Sequence, residues 1–223
     1  MAPLRKLQHL LAGIYDLPIS EDVRDFVVTD RRCLPPGHAD EAVDEQLLVE
    51  TEAGGEELGL ALYLDGAVLE RLERSDPLHA LHGGNVADYL TALEGVSHFI
   101  CVAWHAQHGH DVSRLVLELQ AEVDKYVATH ALLRLQWPER FPAELHDLLF
   151  TRCRVGTMLA PGDSGLYRRA SALAARYCGR LERRLRAEAR DGASWSPPLH
   201  AELRRFYRLS ETRKLAETAR SAA

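Results

Sequence analysis

Residues 86–108 are apolar on almost every side of a helix, and no other feature limits the fold as tightly. At about 100° per residue, Val86, Tyr89, Leu90, Leu93, Val96, Ile100 and Trp104 form one broad apolar face, and Phe99 and Val102 lie beyond it. Such a helix must be covered from several directions. The next helical pattern, 112–136, carries the stripe Val112, Leu115, Leu119, Val123, Tyr126 and Leu133. The connection between the two is short, so the spacing predicts an antiparallel pair at the centre of the fold.

The rest of the chain supplies elements to pack around that pair. Leu4, Leu7, Leu11 and Ile14 recur at helical spacing, which predicts a helix over 3–16. "SEDVRDFVVTD" reads as a second helix with Ser20 as its N-cap and acids in its first turn. The prolines and glycine of "CLPPGHADEA" mark a loop. The period then changes: in "ELGLALYLD", Leu58, Leu60, Leu62 and Leu64 alternate with smaller or more polar residues. Period 2 predicts a half-buried strand, and "QLLVETE" before the glycine turn predicts its partner. A β-hairpin is therefore expected at about 46–52 and 57–64, its leucine face packed on helices. Asp65 or the following turn opens a short helix, Asn85 caps 86–108, and Gly109 stops it. After "WPERFP" come a helix in "AELHDLLFTRCRVGTML", a long basic helix capped by Asp163 or Ser164 and running to about Arg190, the linker "DGASWSPP", and a last helix from Leu199 to about Ala219. The fold class is mainly α with a minor β component, a helical bundle-like domain with one N-terminal hairpin.

Charge divides the chain unevenly. Residues 164–223 hold 14 Lys+Arg against 6 Asp+Glu, a net of +8, whereas residues 1–163 hold 13 against 27, a net of −14. This predicts an acidic helical body, 1–163, and a basic helical C-terminal region, 164–223, packed on it as part of one domain. Arg180, Arg183, Arg184, Arg204 and Arg205 are the candidate binding residues of that region. A protein partner, self-association or the chain's own acidic body is the expected counterpart. Nucleic acid is less favoured, because the whole chain is acidic, with pI ≈ 6.0.

Several function classes are excluded or left without support. Cys33, Cys101, Cys153 and Cys178 form no CxxC pair, so a zinc ribbon is excluded. "GDSG" at 162–165 matches the string around the nucleophile of chymotrypsin-like proteases, but that fold needs two β-barrels and this chain offers one hairpin. No P-loop, Rossmann glycine pattern or HExxH occurs. No apolar run approaches the roughly 18 residues that span a bilayer, and the start lacks a signal peptide's clear apolar core, so a cytoplasmic chain without membrane association is expected.

One constellation carries chemistry. Glu94, His98 and His105 fall in a sector of roughly 40° on one flank of the 86–108 helix. Glu118 and Glu122 stand one turn apart at the edge of the next helix's stripe, with His130 near its centre. Carboxylates and imidazoles converging from facing helices are the ligand types of helical metal sites, although the usual Glu-x-x-His spacing is missing. The candidate metal ligands are Glu94, His98, Glu118, Glu122 and His105, for a divalent ion such as Fe or Zn. Without a metal, Glu94, His98 and Glu122 are candidates for acid–base work. Simpler pairings compete: Glu94 with His98, Glu118 with Arg114, Glu122 with Lys125. Two functions follow from different classes. The first, slightly favoured at this point, is a non-catalytic interaction or regulatory protein using its basic helices. The second is a metal-dependent or acid–base enzyme or ligand-binding protein.

Overall fold

The computed structural model describes residues 1–35, 43–51, 58–152, 164–189 and 195–220. Among these it is mainly helical, with helices α1 (Ala2–Tyr15), α2 (Gly66–Arg74), α3 (Val86–Gln107), α4 (Arg114–Gln136), α5 (Leu145–Asp147), α6 (Ser164–Ala189), α7 (Pro197–Tyr207) and α8 (Glu211–Ala219). The minor β component is a small sheet of β1 (Val27–Val28), β2 (Glu45–Thr51) and β3 (Leu58–Leu64), in the order β1-β3-β2. The chain forms two compact units: Met1–Ala12 with Leu17–Asp111, and Gly13–Asp16 with Val112–Ala223. The change of charge at 163/164 thus falls inside the second unit. The helices expected as a central pair belong one to each unit, α3 to the first and α4 to the second.

In the first unit, the hairpin takes the expected place. β2 and β3 run antiparallel, with Glu45 opposite Leu64, Leu47 opposite Leu62 and Val49 opposite Leu60. These pairs share one face of the sheet, and Leu62 and Leu64 are buried. α3 packs on β2, β3 and α2. Gly95 makes that approach possible: a Cβ there would meet Glu45 Cγ and Leu62 Cδ1 at 2.9 Å. Gln8 of α1 clamps the next segment, donating to the Glu21 carbonyl at 2.6 Å and accepting from the Val23 amide at 2.9 Å.

Two expectations for this unit are corrected. The stretch read as a helix capped by Ser20 is a single 3-10 turn, Val23–Phe26, capped by Asp22. The β-branched pair Val27–Val28 then extends and adds a parallel strand beside Leu62 and Tyr63. Asn85 occupies the N-cap position of α3 but makes no side-chain cap bond. Its amide instead ties the preceding loop, accepting from the His82 amide at 2.9 Å and donating to the Ala80 carbonyl at 2.9 Å. The stop is as expected: Gly109 has φ +64°, a conformation glycine adopts without strain. α3 also reaches the length and composition of a membrane-crossing helix, with an 18-residue window of mean hydropathy 1.2, 67% of it buried inside the protein. Glu94, His98 and His105 interrupt the apolar run along this helix. A buried core helix passes the same test.

The second unit packs α4 against α6, and α6 against α8. Asp65 caps α2 and Ser113 caps α4 through their side chains. The helix expected after "WPERFP" is one turn, α5, continued by a π-helical segment, Leu148–Arg152; its remainder, the Asp163 cap and the turn at 53–56 lie outside the described residues. The last helix, expected to run unbroken from Leu199, is two. Ser196 caps α7; the chain turns at Arg208–Ser210 and α8 begins. The break lets Lys214 reach back. Lys214 is 0% exposed, and its ammonium donates to Gln120 Oε1 at 2.7 Å and to the Tyr207 carbonyl at 3.1 Å. It also lies over the rings of Phe206 and Tyr207, at 5.1 and 5.4 Å. Gln120 donates to Asp124 at 2.7 Å, and the Tyr15 hydroxyl donates to the same carboxylate.

Two predictions test these packings. Gly95→Val forces the sheet off α3, and the overpacking cost of ~1–3 kcal/mol should appear as a lowered urea midpoint. Lys214→Met keeps the aliphatic stem and removes the buried cation. Breaking such a network costs about 3–5 kcal/mol, and a loss under about 1 kcal/mol in equilibrium unfolding contradicts the role given to this lysine.

Candidate functional site

The site in the first unit begins with register. Period 2 along β2 puts Glu45 on the same face as Leu47, toward α3 rather than water. Glu45 is 12% exposed at its side chain and His98 is 7% exposed. A carboxylate in that position needs a partner, and His98 supplies it: Nδ1 lies 3.4 Å from Glu45 Oε1. With a carboxylate as acceptor, the proton belongs on Nδ1, and the lone pair of the neutral ring is then on Nε2. One turn before His98 stands the half-buried Glu94. The two offer a carboxylate oxygen and an imidazole nitrogen within 4.8 Å of one another, so this Glu/His group could hold a metal ion.

The other candidates of α3 and α4 are placed differently. His105 is buried, but its Nδ1 bonds the Cys101 carbonyl of its own helix at 2.8 Å. At ~1.5 Å rise per residue it stands about 10 Å along the axis from His98, too far for both imidazoles to bind one ion. Sharing a helix flank is not convergence. Glu122 is an ion-pair partner: Lys125 donates to it at 2.8 Å and the Tyr167 hydroxyl at 3.0 Å. The simpler pairing of Glu122 with Lys125 is therefore formed. Glu118 is half-buried one turn earlier on α4. Glu45, which completes the first-unit cluster, was missed by sequence reasoning. The available signal was that Glu45 is in phase with Leu47 at the mouth of the hairpin.

Three further histidines do structural work. His82 accepts the Gly84 amide at Nδ1, 3.1 Å, and its Nε2 lies 3.1 Å from Ser75 Oγ. His108 Nδ1 bonds the Trp104 carbonyl at 2.7 Å. His130 is a core histidine of the second unit, accepting from the Trp195 indole at 3.3 Å and facing Phe141 and Tyr126. Burial first, and the Arg134 charge second, lower its pKa to about 4. Cys101 and Cys178 are buried thiols and Cys33 is exposed; burial pushes the Cys178 thiol well up, which keeps it unreactive. Of GDSG, Ser164 and Gly165 begin α6, and Gly162 and Asp163 lie outside the described residues.

Most of the candidate binding arginines are engaged inside the second unit. Arg184 pairs with Glu188 at 3.2 Å and with Glu202. Arg204 pairs with Asp16 at 3.5 Å, and Arg205 with Glu217 at 3.4 Å. Arg180 donates to the carbonyls of Glu217 and Arg220 at 2.6 and 3.0 Å. Arg183 is exposed, with no ion pair among the described residues.

No protein-family model, curated protein or solved structure matches this chain.

The His130 environment gives a pH prediction. The folded imidazole titrates near 4 and the unfolded one near 6.5. The unfolded chain therefore binds the extra proton first, so the contribution is full above pH 6.5 and is lost as pH falls toward 4. The loss is roughly 2–4 kcal/mol. His130→Gln should flatten this part of the stability–pH curve, measured by urea unfolding of both proteins between pH 7 and 4.

Proposed function

We propose that the chain is a helical metal-binding protein whose divalent ion is held by Glu94 and His98, with Glu45 orienting the imidazole. The observation that carries the reading is the Glu45–His98 contact at 3.4 Å beside a carboxylate one turn away. A carboxylate on one ring nitrogen fixes the tautomer and raises the basicity of the other, the usual outer support of a metal-bound histidine. Oxygen and imidazole donors without thiolate suit Zn, Fe or Mn rather than Cu(I). Glu122 is left out, because Lys125 and Tyr167 already use its carboxylate. A bound ion would act as a Lewis acid or lower the pKa of a coordinated water. Among the described residues Cys33, Cys101 and Cys178 are free thiols, which fits the cytoplasmic location proposed with it.

Metal analysis of untagged protein, as purified and after reconstitution with Mn, Fe, Co or Zn, tests this. Near-stoichiometric metal is expected in the parent protein, with loss in Glu94→Ala and His98→Ala. Glu45→Gln should weaken affinity by about 10–100-fold. His105→Ala should leave metal content unchanged. Parent protein that takes up no metal, or a His98→Ala variant that keeps it all, defeats the proposal.

A further inference from the structure

The second unit carries a groove between α6 and α8 whose chemistry is unrelated to the Glu/His group. Arg176, Arg180 and Arg183 project into it from α6, at i, i+4 and i+7, and Arg220 closes it from the end of α8; Ala175 and Ala219 are among the small residues that line it. The spacing puts the three α6 arginines on one helix face, over about 10 Å. Like charges at that spacing repel one another. Elsewhere in this unit the same problem is solved by pairing, as Arg184 and Arg205 show. Here the compensation is incomplete. Arg176 and Arg183 are exposed and form no ion pair among the described residues. Arg180 is held by two backbone carbonyls, which orient its guanidinium without cancelling its charge. The carboxylate at the rim is Glu217, which is shared between Arg205 and Arg220.

We propose that this groove is a binding site for a phosphate-bearing ligand, with Arg180 as the pre-oriented centre and Arg176 and Arg183 as the flanking clamps. Guanidinium forks match phosphoryl oxygens bidentately, and a diphosphate group presents oxygens over a longer span than one carboxylate. The small side chains at Ala175 and Ala219 keep the approach to the guanidinia open. Among the described residues the two flanking arginines form no ion pair, and Arg176 only donates to the Ala172 carbonyl of its own helix at 3.4 Å, so their substitution leaves the unit intact.

Calorimetric titration of the full chain with inorganic pyrophosphate, at about 0.15 M salt with EDTA present, tests the assignment. Chelation of metal removes any contribution of the Glu94–His98 group, and His98→Ala should bind pyrophosphate as the parent does. Saturable one-site binding is expected, weakened roughly tenfold or more in R176Q/R183Q and unchanged in the exposed control R140Q. No binding overturns the proposal. Equal binding by R176Q/R183Q means an adventitious ion only and overturns it too. Arg176- and Arg183-dependent capture of a single-stranded RNA or a poly-glutamate peptide, not displaced by pyrophosphate, also rejects the small phosphate ligand and gives the groove to that polymer.

Discussion

The first unit depends on how one acid is disposed of. The strand that sets Leu47 opposite the buried Leu62 also brings Glu45 to the same face, because the side-chain period of a strand is 2. The carboxylate cannot turn to water without reversing the whole strand, which would expose the leucines. It is accommodated by two features of α3: Gly95, with no Cβ to obstruct the Glu45 stem, and His98, whose ring reaches the carboxylate. The sheet position, the helix glycine and the buried histidine are one constraint expressed at three residues. An apolar residue at position 45 would serve packing more simply. Retaining a carboxylate and an imidazole in a dry contact is what gives this place chemical capacity.

The second unit treats buried polarity differently. Its interior holds Asp124, Lys125, Glu122 and Lys214, each buried. Here the groups satisfy one another: Lys125 and Tyr167 on Glu122, Tyr15 and Gln120 on Asp124, Lys214 on Gln120 and a helix-end carbonyl. A network of this kind fixes the register of α4 and α8 but leaves little coordinating capacity. The contrast explains why Glu122, a good candidate by residue type, is a structural ion pair.

Legibility in the sequence followed the length of the pattern. The long helices and the hairpin show themselves through repeated apolar spacing, and the ends at Asp65 and Gly109 through residues with one conformational reason to be there. Val27–Val28 was unreadable as a strand because two residues carry no period; pairing with β3 decides it. The division of the last helix depends on Lys214 finding the Tyr207 carbonyl, a contact that no local pattern encodes. For the site, His98 and Glu94 were legible as polar residues on an apolar helix. Glu45 was not: its phase with Leu47 gives its face, but its partner stands 53 positions away in sequence.

His98 and His105 make the final point about reading sites from a helix wheel. Both lie on the same flank of α3 and both are buried. Nδ1 of His105 spends its proton on the Cys101 carbonyl one turn back in its own helix. Nδ1 of His98 meets a carboxylate delivered by another element. A backbone carbonyl is a neutral acceptor; a carboxylate stabilises positive charge on the ring and strengthens the opposite nitrogen as a donor of electrons. The same residue type on the same flank thus acquires two chemistries, and the difference comes from the sheet rather than from the helix that carries them.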